Sequence, residues 1–171
     1  MYKPFKKEIV SLFVQNRANT LSRIANMFGR RGFNIENITA SPTSDPALTR
    51  ITIVFSATEQ SMQQIITQTE KLECVEKIFL LNRENAIYRE LLLVKVNVTE
   101  QAERSAIKEI VDIFRGRILD LSTDSMIVEL TGSPEKVDGF LDVIYEHDVA
   151  EICRTGVAGL ESNVRNAKKT V

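Results

Sequence analysis

The sequence predicts an α+β protein made of two ferredoxin-like βαββαβ domains in tandem. Four segments carry apolar residues at the offsets 0, 3, 4 and 7 of an amphipathic helix, so each has a single apolar face. Short runs rich in β-branched residues separate these helices. Both halves of the chain have the order strand, helix, strand, strand, helix, strand, which is the order of an antiparallel sheet with both helices on one face.

In the first half, the helix and strand signals follow this order from the start. The first helix is expected to end in Phe28-Gly29-Arg30-Arg31-Gly32, where a glycine adopts the left-handed conformation that ends a helix and arginines lie near its carbonyl end. The segment Ser41-Pro42-Thr43-Ser44-Asp45-Pro46 predicts a hairpin loop between the second and third strands. The apolar helix positions are Leu21, Ile24, Ala25 and Phe28, then Met62, Ile65 and Ile66 with Thr69 at the last offset, and the predicted strands are Ile9 to Val14, Phe33 to Ala40, Arg50 to Phe55 and Val75 to Leu81.

The second half repeats the architecture without repeating the sequence. Its first helix is expected to end in Phe114-Arg115-Gly116-Arg117, again with the glycine in the left-handed turn. Ser133 is the expected N-cap of the last helix, with Pro134 in its first turn. The apolar helix positions are Ile107, Ile110, Val111 and Phe114, then Val137, Phe140, Leu141 and Ile144, and the predicted strands are Leu91 to Val98, Arg117 to Leu121, Met126 to Leu130 and Val149 to Cys153.

The domain organisation follows from a polar stretch in the middle of the chain. With 171 residues, the chain is long enough for two small domains that need no disulfide or metal. The stretch Asn82 to Tyr88 predicts the boundary, so we assign the domains to residues 1–82 and 83–160. The segment 161–171 has little apolar content and is expected to be a loosely ordered, flexible tail.

Composition argues against several classes of function. The chain has 22 basic and 23 acidic residues and a net charge of −1, without the positive excess that nucleic-acid binding usually needs. Its longest apolar runs have four residues, and Met1 to Glu8 lacks the apolar segment of a secretory signal, so we expect no membrane span. Its two cysteines, Cys74 and Cys153, lie among apolar neighbours without metal-ligand spacing and are expected to be small buried hydrophobes. We therefore expect a reducing, cytoplasmic setting.

The sequence offers no catalytic or metal-binding constellation. His147 is the single histidine and follows the last helix, so an exposed turn histidine is favoured over a catalytic base. Arg30 and Arg31 form either an anion patch or solvated charges at a helix end. The sequence contains no phosphate loop, zinc-protease motif or nucleophile elbow. We therefore predict no catalytic residue and no metal ligand in this chain.

One group of polar residues is more specific. The segment Gln15 to Leu21 leads from the first strand directly into the first helix, whose free N–H groups form a ready anion site. Asn16 adds a carboxamide that both donates and accepts hydrogen bonds, and Asn34 adds a second one where the second strand opens. On the pattern alone, the alternative that both asparagines only make turns stays open.

Several short motifs follow one another in a fixed order along both halves. They are Arg31-Gly32-Phe33-Asn34-Ile35, Thr49-Arg50-Ile51-Thr52-Ile53, Arg89-Glu90-Leu91, Leu93-Val94-Lys95-Val96, Ile113-Phe114-Arg115-Gly116 and Arg154-Thr155-Gly156-Val157. Together they closely resemble the regulatory (small) subunit of acetolactate synthase, also called acetohydroxyacid synthase. The resemblance runs from about Glu8 to Leu160, and the ordered set is specific although no single motif is diagnostic.

The resemblance implies an architecture and a function. Residues 1–82 are expected to form an ACT domain, a ferredoxin-like module that senses amino acids, followed by a C-terminal domain of related topology. A homodimer is expected to bind the catalytic large subunit, raise its activity and confer feedback inhibition by valine in branched-chain amino acid biosynthesis. Thiamine diphosphate, magnesium and FAD are expected in the large subunit and not in this chain, which is then no enzyme by itself.

The resemblance also implies a valine site shared by two ACT domains. One subunit supplies the amide after the first strand and the start of the first helix, and the other supplies the asparagine that opens the second strand. Helix N–H groups suit the carboxylate of valine, amide oxygens suit its ammonium, and an apolar wall suits its isopropyl group. On this sequence the positions are Asn16, Asn19, Thr20, Leu21, Asn34 and Ile35.

At one of these positions the chain departs from the family pattern. Family members usually carry glycine just before the first helix, whereas this chain has Asn19, whose side chain points where the ligand backbone would lie. We therefore expect activation of the large subunit with a weak response to valine; leucine and isoleucine stay open as effectors.

Two alternative functions are an enzyme on the same fold and an ACT regulator of another enzyme or of transcription. The first lacks an acid, base or nucleophile, and a transcription factor would need a helix-turn-helix or a basic arm.

Overall fold

The computed structural model describes residues 6–82 and 84–162, which form two compact units. The described residues up to Ile87, together with those from Val157, form the first unit, and Tyr88–Gly156 form the second. The α+β class with two βαββαβ motifs in tandem is confirmed. The assigned ranges 1–82 and 83–160 stay predictions of domain extent, and the expected tail lies, beyond Ser162, outside the described residues. No helix in the described part of the chain is long and apolar enough to cross a membrane.

The elements of the first unit come in the predicted order. They are β1 (Lys6–Gln15), α1 (Thr20–Arg30), β2 (Ile35–Pro42), β3 (Leu48–Ala57), α2 (Glu59–Thr69) and β4 (Val75–Leu80). The antiparallel sheet has the strand order β2-β3-β1-β4, so β2 is an edge strand, as expected. Val10 and Leu12 of β1 pack in one core with Phe28 of α1 and Ile65 of α2, so both helices cover the same face. Each such burial stabilises the fold by roughly 1.5–3 kcal/mol.

The second unit repeats this arrangement. Its elements are β5 (Ala86–Asn97), α3 (Gln101–Ile113), β6 (Arg117–Leu121), β7 (Ser125–Gly132), α4 (Pro134–Ile144) and β8 (Val149–Arg154). The strand order β6-β7-β5-β8 places β6 at the edge that β2 occupies in the first unit. Ser133 caps α4 by accepting a hydrogen bond from the N–H of Lys136, and Pro134 begins the helix, as predicted.

The ends of α1 and α3 differ from each other, although the sequence predicted the same glycine turn at both. After α1, Gly32 adopts the left-handed conformation (φ 75°), as expected. After α3, the left-handed residue is Arg115 (φ 53°) and not Gly116, so that prediction was wrong. Gly116 is required for another reason: a β-carbon there would lie 3.0 Å from the carbonyl oxygen of Glu129 and 3.1 Å from a methyl of Val111. The glycine therefore permits close packing of helix and strand, not a left-handed turn.

The strand β5 begins five residues before its predicted start at Leu91. Tyr88 and Glu90 are both buried, which extends the alternation of buried and exposed residues toward the start of the strand. Glu90 is held by an ion pair with Arg154, whose guanidinium also donates to Asp138 at 2.6 Å. Burial by itself lowers the pKa of Arg154, but the hydrogen bonds to Asp138 and Glu90 outweigh it and raise that pKa. Two of the short sequence motifs are thus joined by one partly buried ion pair.

A strand that the sequence analysis missed belongs to the first unit. This is β9 (Ala158–Glu161), so the last strand of the described chain is not β8. The guanidinium of Arg50 donates to the carbonyl oxygen of Gly159 at 2.7 Å, and the side-chain oxygen of Asn37 accepts from the N–H of Val157 at 3.2 Å. These two bonds tie the returning segment to β3 and β2.

Arg50 lies on the face of the first sheet that the helices do not cover. Its cross-strand partner Phe13 on β1 and Phe79 on β4, the strand beyond β1, bring two aromatic rings close to the guanidinium, with ring centres at 5.5 Å and 5.9 Å. Burial lowers the pKa of Arg50, although the charge of Glu161 opposes that effect. Arg50 therefore joins the sheet to β9 through one half-buried cation.

Candidate functional site

The helix α1 begins after a residue in the left-handed conformation. Asn19 is the N-cap residue, with φ 69° and ψ −2°, and its side chain makes no capping hydrogen bond. Residues other than glycine are uncommon in this region, and asparagine is among those that adopt it most readily. Position 19, where the family that this sequence resembles carries glycine, therefore has a backbone conformation that glycine favours.

The first turn of α1 leaves backbone donors available. The N–H of Thr20 donates to the carbonyl oxygen of Arg17 at 3.3 Å, and that of Arg23 donates to Asn19 at 3.0 Å. The N–H groups of Leu21 and Ser22 have no hydrogen-bond partner within residues 6–82 and 84–162, as is usual in a first helical turn. Two such donors at the positive end of a helix dipole suit a carboxylate.

Asn16 is held at the same end of the sheet by the loop between β2 and β3. Its backbone N–H donates to the carbonyl oxygen of Ala47 at 2.7 Å, and its side-chain nitrogen donates to that of Pro46 at 3.1 Å. These bonds orient the carboxamide. Its side-chain oxygen accepts no hydrogen bond from the described residues and can therefore accept one from an ammonium group.

Asn34 and Ile35 lie where the chain enters β2. Asn34 is exposed and immediately precedes the strand. Ile35 pairs with Phe55 of β3 and is half-buried, because it packs against the core of its own unit. It therefore offers a ligand only part of the apolar wall that the sequence led us to expect.

The structure does not bring the two groups of predicted residues together within one chain. Asn19 precedes α1 and Asn34 follows it, and a helix of 11 residues is about 16 Å long. β1 and β2 are both antiparallel to β3, so they run parallel to each other, and the end of β1 and the start of β2 lie at opposite ends of the sheet. A ligand as small as an amino acid cannot contact both Asn16 and Asn34 of the same chain.

A cavity that the sequence analysis did not single out lies beside the start of α1. It has a volume of about 340 Å³, and its lining includes Arg17, Thr20 and Arg23. The two arginines bring positive charge close to the free N–H groups of the helix, and the carboxylate of Glu73 also lines the cavity. The signal that could have found them is the absence of any aspartate or glutamate between Glu8 and Glu36.

The residues considered for catalysis and metal binding have simple surroundings. We expected His147 to be exposed, but its side chain is only 18% accessible. Its Nδ1 lies 3.6 Å from a carboxylate oxygen of Glu103. Both cysteines are free; Cys74 is buried as expected, whereas the expectation that Cys153 is buried was wrong, because it is exposed on β8. Within the described ranges, no three histidine, cysteine, aspartate or glutamate side chains are grouped so that they could hold a metal ion.

The fold and the sequence together define the class of this protein. Residues 10–77, which make up most of the first unit, match the family model described as the small subunit-like ACT domain of acetohydroxyacid synthase. The chain is therefore an ACT-domain protein. Residues 89–163 match the family model described as the small subunit of acetolactate synthase. The chain belongs to the acetolactate synthase small-subunit family, as the sequence motifs predicted.

Individual relatives agree with both family models. A probable acetolactate synthase small subunit of Methanothermobacter thermautotrophicus is 40% identical over 157 residues, which cover 92% of this chain and 94% of the relative. The acetolactate synthase isozyme 3 small subunit of Escherichia coli is 36% identical over 155 residues, covering 90% and 94%. Among solved structures, the acetolactate synthase small subunit of Thermotoga maritima superposes with a TM-score of 0.82 at 35% identity, covering 91% of this chain and 97% of that one.

Proposed function

We propose that this chain is the non-catalytic regulatory subunit of an acetolactate synthase in the cytoplasm, where it serves branched-chain amino acid biosynthesis. It binds the catalytic large subunit, raises the rate of acetolactate formation and makes that rate respond weakly to valine. The observation that carries the proposal is the start of α1 in an ACT domain of this family, where a left-handed Asn19 precedes two backbone N–H groups that have no partner among the described residues. Thiamine diphosphate, magnesium and FAD belong to the large subunit in this scheme, so this chain acts through contact alone.

The proposed valine site is completed by a second copy of the chain. β2 is an edge strand, and an edge strand is prone to pair with a copy of itself. Antiparallel pairing of two β2 strands carries Asn34 of the second copy to the end of the sheet where Asn16 and the start of α1 lie. The separation of these residues within one chain supports a site that two copies share.

Both charged groups of valine then have partners of suitable chemistry. The N–H groups of Leu21 and Ser22 bind the carboxylate, and the carboxamide oxygens of Asn16 and of the second copy's Asn34 accept from the ammonium. A ligand bound between two copies favours the dimer arrangement that closes the site. The catalytic subunit is less active when bound to this closed dimer arrangement, so the shift in population produces inhibition.

The test is a reconstitution with the catalytic large subunit of the same organism. We expect acetolactate formation to rise several-fold when the chain is added and to fall only weakly when valine is added afterwards, because Asn19 narrows the approach to the helix N–H groups. A rate that the chain leaves unchanged, at concentrations well above those of the large subunit, contradicts the proposal. Purification from cell extract gives an independent check, because an associated DNA or a different enzyme indicates a different ACT regulator.

A further inference from the structure

The edge strand of the second unit is more apolar at its surface than an edge strand of a monomer usually is. Leu119 and Leu121 of β6 are 53% and 58% exposed, and Ile113 at the end of α3 is 75% exposed. Proteins normally protect free sheet edges with charges, prolines or short strands, because an unprotected edge pairs with other chains. Three large exposed apolar side chains at one edge therefore leave this edge unprotected against pairing.

An irregularity in β6 brings two opposite charges onto one face of the sheet. Arg117 pairs with Glu129 of β7 and Asp120 pairs with Ile127, so the register shifts by one residue at Leu119. In a regular strand, residues three apart point to opposite faces. Because Glu129 and Ile127 are two residues apart on β7, their partners Arg117 and Asp120 lie on the same face, and both are exposed.

We propose that β6 is the contact strand for a second copy of this chain, which pairs with it antiparallel about a two-fold axis between Ile118 and Leu119. This register sets Arg117 of each copy opposite Asp120 of the other. A two-fold axis makes the contact twice, so the pairing forms two cross-strand ion pairs of the kind that stabilise sheets. The arrangement of charge on this strand is therefore complementary to itself.

The same register covers the exposed apolar side chains. Leu121 of one copy lies opposite Gly116 of the other. Gly116 follows Ile113 by three residues, so Leu121 comes close to the second copy's Ile113. Leu121 shares a face with the buried Met126, with which it pairs, so it lies on the side of the sheet that carries the helices. Leu121 and the second copy's Ile113 can then remove each other from water, which is the main driving force of protein association.

This contact is independent of the proposed valine site, because β6 and β2 belong to different units and share no residue. A failure of the β6 contact therefore leaves the proposed function standing. Conversely, the β6 contact can be measured in the absence of valine and of any catalytic subunit.

Directed disulfide formation between two chains that each carry one introduced cysteine tests the register. In a Cys153→Ser background, which removes the exposed thiol, one chain carries Arg117→Cys and the other carries Asp120→Cys, and the two are co-expressed. We expect the mixture to yield covalent dimers at least about tenfold faster than either chain alone. In the proposed register residue 117 faces residue 120, whereas two copies of residue 117 lie about 10 Å apart, beyond disulfide reach.

The matched control is Glu151→Cys in the same background, since Glu151 is exposed on β8, the strand at the opposite end of the sheet order. A mixture that cross-links no faster than this control, while circular dichroism shows that the chains are folded, overturns the β6 contact. Equal rates for the mixture and for the separate chains overturn the register.

Charge exchange tests the ion pairs without cysteines. Arg117→Asp or Asp120→Arg alone sets like charges opposite each other. In an Ile38→Lys background, where a lysine opposes association through β2, we expect the concentration dependence of sedimentation to show about tenfold weaker association. The double variant Arg117→Asp/Asp120→Arg restores opposite charges and should recover the original association. If the double variant associates as weakly as the single ones, the proposed pairing of Arg117 with Asp120 is wrong.

Discussion

Asn19 serves the backbone geometry of the strand-to-helix turn, and in the proposed valine site it opposes the approach of the ligand. Its left-handed conformation is the one that a direct entry from strand to helix requires, and asparagine tolerates it at moderate cost. Its β-carbon and carboxamide project from the position where glycine would leave the helix N–H groups open. Since the side chain makes no capping hydrogen bond, replacing it removes no capping bond.

We expect Asn19→Gly to tighten valine binding by at least about tenfold, or ~1.4 kcal/mol. Glycine lets the carboxylate approach the N–H groups of α1 at a distance where charge-assisted hydrogen bonds are strongest. Titration calorimetry on both dimers measures the change. Asn19→Ala is the matched control, because it removes the carboxamide and keeps the β-carbon. Equal affinities of the Gly variant and the natural chain would mean that the asparagine is accommodated in the site.

Asn34→Ala should weaken valine binding by roughly 1–3 kcal/mol, the usual effect of leaving a buried charged group without one of its partners. Stimulation of the large subunit without valine should stay near that of the natural chain. Calorimetry measures the first quantity and the rate of acetolactate formation the second. Asn26→Ala, at an exposed position of α1, is the control and should change neither. Lost stimulation with intact valine inhibition would contradict the role assigned to Asn34.

The returning strand β9 shows what an element gains from contacts that are distant in sequence. Its four residues hold their place partly because Arg50 reaches Gly159 from a position between two aromatic rings. A half-buried guanidinium combines a charge-assisted hydrogen bond with cation–π attraction. Removing it leaves the carbonyl oxygen of Gly159 without this donor.

Arg50→Met is expected to lower the free energy of unfolding by roughly 2–3 kcal/mol, the sum of the lost hydrogen bond to a charged group and the lost cation–π contact. Urea denaturation followed by circular dichroism measures the change. Lys108→Met removes an exposed positive charge from α3 and should change the stability little. A loss of the same size in both variants would mean that net charge, and not the anchor of β9, sets the effect.

Periodicity was enough to predict the four helices and eight strands of the tandem motifs, because each of these elements turns one apolar face to a core. It could not predict β9, whose sequence Ala-Gly-Leu-Glu has no alternation and whose position depends on Arg50 and Asn37. The glycine turn after α3 was predicted wrongly for a related reason. The sequence shows that a glycine is present, but not whether a left-handed backbone conformation or close packing requires it. At the candidate site, the sequence supplied Asn16 and Asn34. Their separation within one chain follows only from the strand directions.

For the whole molecule, regulation through a shared site requires that two copies associate reversibly, so that a bound ligand can change the fraction of chains in the dimer. A ligand that binds only the dimer stabilises it by an amount that grows with its concentration, about 2.7 kcal/mol at one hundred times its dissociation constant. Valine is small and offers few contacts, so a site divided between two chains links those contacts to association. Disrupting the β2 edge should therefore remove the valine response without unfolding either chain.

Ile38→Lys tests this link. Ile38 lies on β2, pairs with the buried Ile53 and is 37% exposed, so the substitution puts a charge on the free edge without emptying the core. A lysine on an edge strand opposes pairing with another edge. We expect weaker dimerisation in sedimentation experiments, a valine affinity too low to measure by calorimetry and an unchanged circular dichroism spectrum.

The control for Ile38→Lys is Gln64→Lys, which adds the same charge to the exposed surface of α2 and should leave association and valine binding unchanged. The two measurements separate two mechanisms. If Ile38→Lys weakens the dimer and valine still binds with its original affinity, each chain carries a complete site, and Asn34 cannot act across the β2 edge. If dimerisation is unchanged even in a chain that also carries Arg117→Asp, which opposes the β6 contact, β2 is not a contact strand of the dimer. Loss of both together is the result that a shared site requires, because neither Asn16 nor Asn34 can then reach a ligand held by the other.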